Sequence, residues 1–142
     1  MGLQIKSFRD LVVWQKAMNL VELIYALTKQ FPADERYALT SQVKRASVSV
    51  PSNIAEGYGR DGTKDYLRFL NISLSSLFEL QTQLEISMNL EYLKKDRSVV
   101  FAILPSSAQI SLLTSGTKNQ SKSHRLTSHR HRVQLIRWQR FA

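Results

Sequence analysis

The chain has 142 residues, no cysteine and a formal net charge of +9. That length buries one hydrophobic core without a disulfide or a metal, and the lack of cysteine fits a reducing compartment. Residues 1–10 hold no long apolar run, and no segment approaches the roughly 20 apolar residues of a membrane-spanning helix, so we expect a cytoplasmic protein with no membrane partner.

The first predicted helix runs from Phe8 or Arg9 to Gln30, with Ser7 or Asp10 near its start to accept orphan amide hydrogens and Phe31-Pro32 to end it. Trp14, Ala17, Met18, Val21, Ile24, Tyr25 and Thr28 recur at helical spacing, and Leu20, Leu23 and Leu27 widen the stripe, so the helix needs more than one packing partner. A second helix is predicted from Ala33, Asp34 and Glu35, whose acidic side chains suit a helix N-terminus, to Gly57 or Gly59. Leu39, Val43, Ala46, Val50, Ile54 and Gly57 keep one apolar face on both sides of Pro51. An internal proline removes one backbone hydrogen bond, crowds the carbonyl of Ser47 and costs about 3 kcal/mol, so a kink held by tertiary packing is expected. Gly57 to Gly62 reads as a connection in which glycine takes the left-handed conformation that closes many helices.

The third predicted helix is the longest, from Thr63 to about Lys95, on the order of 50 Å at 1.5 Å per residue. Its seam follows Leu67, Leu70, Leu74, Leu77, Gln81, Leu84, Met88 and Glu91 in alternating three- and four-residue steps. Beyond it the character changes. All eleven acidic residues lie at or before Asp96, facing twelve basic ones, whereas the eight later basic residues face none. The chain therefore divides into a helical body, 1–96, and a basic tail, 97–142. Residues 98–113 hold an apolar run broken by Pro105; residues 114–128, rich in Ser, Thr, Lys, Asn and Gln, are expected to be disordered. Residues 133–142 regain a helix-compatible mix of Leu135, Ile136, Trp138 and Phe141 with Arg132, Arg137 and Arg140, but the segment is short and uncapped and so marginal as an isolated helix. This tail is open to a nucleic-acid or a membrane-surface reading. The simultaneous loss of acids and of helical pattern favours a third: translation in a shifted frame.

Gly57, Gly59 and Gly62 satisfy the string Gly-x-Gly-x-x-Gly, but a dinucleotide site needs a preceding strand and here a helix precedes. His124, His129 and His131 sit among arginines without carboxylates, which reads as a solvated basic tract and not a metal site. With no activated nucleophile and no carboxylate cluster, neither an enzyme nor a cofactor is expected. The basic set Lys44, Arg45, Arg60, Lys64 and Arg68 suits phosphate if the kink and the connection bring helix ends together. Its bland alternative is a solvated surface with Glu56 and Arg60 spanning one turn.

Pro51-Ser52-Asn53-Ile54-Ala55-Glu56-Gly57, with Phe8-Arg9-Asp10-Leu11-Val12-Val13-Trp14-Gln15, the stretch Gln42 to Val50, Arg60, Tyr66 to Leu70 and Ser76 to Leu84, resembles the bacterial 23S rRNA-intervening sequence proteins. That family is similar to the accessory variability determinant of diversity-generating retroelements. The resemblance implies an all-α, antiparallel up-and-down four-helix bundle, a homopentamer, a basic nucleic-acid-facing surface, a protein partner such as a reverse transcriptase, and no catalysis. Carried over are Lys44, Arg45 and Arg60 as contacts and Pro51, Asn53, Glu56 and Gly57 as structural determinants. Relatives turn after the positions of Tyr92-Leu93 and add a fourth helix, which the tail replaces here. The functional reading is a non-enzymatic RNA- or DNA-binding adaptor. A protein-interaction scaffold and a C-terminally damaged, nonfunctional product are the alternatives.

Overall fold

A computed structural model describes residues 5–93, and these form three α-helices, α1 (Val12–Leu27), α2 (Leu39–Tyr58) and α3 (Thr63–Asn89), with no strand among them. The tail, its expected disorder, its histidines and the division at residue 96 lie outside the described residues.

The first predicted helix is three pieces. A 3-10 turn, Phe8–Asp10, is held by a capping box in which Ser7 Oγ accepts from Arg9 N at 3.3 Å and Asp10 Oδ2 accepts from Ser7 N at 2.8 Å. Leu11 then adopts extended backbone, which sends its side chain fully into the core, and α1 starts afresh. A second 3-10 turn, Thr28–Gln30, closes it. The buried face is Val13, Ala17, Leu20, Ile24 and Thr28, whereas Leu23 and Tyr25 of the predicted stripe are exposed.

The second predicted helix also divides. Ala33–Tyr37 is a 3-10 turn, and Ala38, at φ −104° and ψ −113°, separates it from α2. Glu35 caps the later helix instead, its Oε2 accepting from Leu39 N at 3.0 Å. From there α2 runs unbroken through Pro51, burying Thr40, Val43, Ala46, Ser47, Val50, Pro51, Ile54 and Gly57. Polar side chains serve the three carbonyls just before the proline: Ser52 Oγ donates to Val48 O at 2.8 Å, Asn53 Nδ2 to Ser49 O at 2.8 Å, and Ser73 Oγ, from α3, to Val50 O at 3.0 Å. The missing proline donor would have served Ser47 O, so these bonds to Val48, Ser49 and Val50 brace the segment around Pro51 without replacing the lost one.

Helices α2 and α3 form the largest helix–helix contact, and α1 packs on α2. Ser49 Oγ and Ser76 Oγ are 2.8 Å apart, Val50 meets Ser73, and Gly57 meets Phe69, so contacts on α3 recede as α2 advances and the two run antiparallel. Small residues permit this approach. A Cβ on Gly57 would lie 2.9 Å from Phe69 Cβ and 3.3 Å from Tyr66 O, so the glycine is needed for closeness. The expected left-handed glycines are absent among the described residues; Gly59, the α2 C-cap, has φ −73°.

At about 40 Å, α3 is shorter than its pattern suggested, and its buried seam is Tyr66, Leu70, Ser73, Leu77, Leu80, Leu84 and Ser87. Leu70, Leu77 and Leu84 stand as expected, but Leu67, Leu74, Gln81 and Met88 are only half-buried and Glu91 is exposed and outside the helix. The stop is a Schellman arrangement: Tyr92 N donates to Ser87 O at 2.9 Å, Glu91 N to Met88 O at 3.1 Å, and Glu91 takes the left-handed φ of 62° usually left to glycine. The chain then folds back. Tyr92 packs on Phe31, with ring centroids 5.9 Å apart, and its hydroxyl donates to Glu35 Oε1 at 3.2 Å.

Candidate nucleic-acid interface

The structure splits the five basic residues into two groups. Lys44 and Arg45 lie fifteen or more residues before Arg60 on or just beyond the same helix, which places about 22 Å of helix between Arg45 and Arg60. Lys44 is half-buried, with Nζ 5.0 Å from the Tyr25 ring centre, and this cation–π contact joins α2 to α1. Arg45 projects from the exposed side of α2.

Arg60, Lys64 and Arg68 gather where α2 gives way to α3. Arg60 is committed within the protein: its guanidinium pairs with the Glu56 carboxylate one turn earlier and lies 4.7 Å from the Phe69 ring centre. The bland reading of Glu56 and Arg60 as a pair spanning one turn therefore describes their geometry. Glu56, Asp61 and Asp65 also offset the local positive charge of Arg60, Lys64 and Arg68.

Lys64 and Arg68 stand differently. Both are exposed, one helical turn apart on the outer face of α3, and with Leu67, Asn71, Ile72 and Ser75 they line a shallow open concavity. Asn71 Nδ2 and Ser75 Oγ donate back to Leu67 O and Asn71 O, each at 3.0 Å, which steadies both side chains on the helix surface. The sequence reading missed Asn71 and Ser75; the signal was the continuation of the 64, 68 spacing to 71 and 75. Gly62 offers no side-chain cap to the first amides of α3.

Of Pro51, Asn53, Glu56 and Gly57, only Glu56 is exposed, where it pairs with Arg60. Pro51 is buried, Gly57 is buried against Phe69 and Tyr66 of α3, and Asn53 Nδ2 donates to Ser49 Oγ at 3.0 Å, extending a polar chain to Ser76 Oγ and from there to Ile72 O at 3.1 Å. Among the described residues no group of three or more His, Asp or Glu side chains is placed to hold a metal ion, and no helix is long and apolar enough to cross a membrane. At the other end of the described helices, desolvation, the Glu35 hydrogen bond and the charges of Glu35 and Asp34 raise the Tyr92 phenol above its ordinary pKa.

Residues 9–103, about two thirds of the chain, match the family model described as 23S rRNA-intervening sequence protein. No curated protein matches the sequence.

Proposed function

Since the chain belongs to the 23S rRNA-intervening sequence protein family, we propose that it is a non-enzymatic RNA-binding adaptor of the cytoplasm that engages phosphates through the outer face of α3. In this reading the described helices are the first three of an up-and-down four-helix bundle. The family match carries the proposal, because residues 5–93 hold ten basic and ten acidic side chains and have no excess charge to attract nucleic acid. Contact must then come from local placement. Arg68 offers a planar fork for two phosphate oxygens and Lys64 a mobile point charge one turn away.

Anisotropy titration of labelled single-stranded and duplex RNA with the full chain at low salt tests this. Charge-assisted hydrogen bonds contribute about 1.5–3 kcal/mol, so Lys64→Ala with Arg68→Ala is expected to weaken binding by about tenfold or more. Lys44→Ala with Arg45→Ala is expected to change affinity by less than about threefold, as for exposed charges outside the contact. No binding to any RNA at low salt, or equal losses from the two double variants, would sink the proposal.

A further inference from the structure

The C-terminal half of α3 presents a face that nothing among the described residues covers. Phe78 is 53% exposed, Ile86 43% and Leu90 50%, and the spacing of Phe78, Thr82 and Ile86 places these three on one side of the helix. Glu79 and Glu85 border that side. Residues 69–93 contain three glutamates and no lysine or arginine, and neither Glu85 nor Glu91 has an ion-pair partner among the described residues. The surface is therefore both apolar and acidic.

One other part of the chain has the complementary character. Segment 133–142 carries Leu135, Ile136, Trp138 and Phe141 interleaved with Arg137 and Arg140, and residues 97–142 hold no acidic side chain. We propose that segment 133–142 docks within the same molecule on this face of α3, its apolar side chains on Phe78 and Ile86 and its arginines beside Glu79 and Glu85. Reach does not oppose it. The 39 residues between Leu93 and Val133 outnumber the 27 of α3, and the entropic cost of joining two segments of one chain rises only with the logarithm of their separation. Tethering also gives the segment an effective concentration on the order of millimolar, which supports a contact of modest intrinsic affinity.

The absence of native cysteine makes the test direct. Thr82→Cys and Asn19→Cys, at exposed positions on α3 and α1, are each combined with Gln139→Cys in the full chain, and disulfide formation under mild oxidation is followed by mass. The Thr82 pair is expected to close within one chain at least tenfold faster than the Asn19 pair, and to lose that advantage when Glu79→Lys and Glu85→Lys are added. Equal rates at the two positions overturn the proposal. So does a Thr82 cross-link found only between two chains, which would assign the face to a second copy.

Discussion

Replacing Glu91 by glycine should stabilise the protein, although the side chain is exposed and makes no ion pair among the described residues. Glu91 closes α3 with φ 62°, and a left-handed conformation costs an L-residue roughly 1–2 kcal/mol that glycine does not incur. Its carboxylate also sits just past the negative end of the helix dipole, an unfavourable placement of about 0.3–1 kcal/mol at low salt. Opposing these, glycine loses more conformational freedom on folding, by roughly 0.5–1 kcal/mol. The net expectation for Glu91→Gly is a gain of about 1 kcal/mol, equivalent to a rise in melting temperature of about 4–8 °C for a folded unit of this size. The Schellman bonds from Tyr92 N and Glu91 N are backbone bonds and survive the change. Glu91→Ala is the control, since it removes the charge and keeps the Cβ. Urea unfolding followed by circular dichroism should show Glu91→Gly more stable than Glu91→Ala by about 1 kcal/mol with an unchanged denaturant slope. Equal stability of the two variants would refute the assignment of conformational cost to this residue.

Gly57→Ala tests the α2–α3 approach. Alanine improves helix propensity by about 1 kcal/mol, but its methyl group meets Phe69 Cβ and the Tyr66 carbonyl, and overpacking of this kind costs about 1–3 kcal/mol, so urea unfolding should show a net loss. Ser73→Ala removes the buried bond to Val50 O beside Pro51 and should lower unfolding free energy by about 1 kcal/mol in the same assay. The raised Tyr92 phenol contributes stability that is complete below the ordinary tyrosine pKa of 10.0 and falls as pH rises through the higher folded value. Tyr92→Phe should therefore lose less stability than the parent protein as pH rises above 10.0, read from melting temperatures at matched ionic strength.

What could be read in the sequence follows from how local each determinant is. The course of α2 through Pro51 was legible because Val43, Ala46, Val50, Ile54 and Gly57 keep one face on both sides of it, and all five are buried. The seam of α3 was placed one residue away along alternate steps because Ser73 and Ser87 look like surface residues. In the fold Ser73 bonds to Val50 O across the interface and Ser87 Oγ donates to Gln83 O within α3, so both are satisfied and fully buried. No sequence periodicity records such a cross-helix bond. The end of α3 at Asn89 was missed because its stop uses Glu91 where glycine would have announced it. The basic residues were found individually, but their grouping needed the length of α2. The thirteen residues of α2 that follow Arg45 hold it away from Arg60, and the Glu56 pair draws Arg60 into the protein's own contacts, leaving Lys64 and Arg68 as the exposed cations of the α3 face.

The most direct measurement of the central claim is the salt dependence of RNA affinity for the full chain and for Lys64→Ala with Arg68→Ala. Each phosphate neutralised on a single strand contributes about 0.7 to the slope of log affinity against log salt. If both cations contact phosphate, the double variant should show a slope shallower by about 1.4. A slope that stays the same while affinity falls, or an affinity that does not fall, would contradict recognition through the outer face of α3.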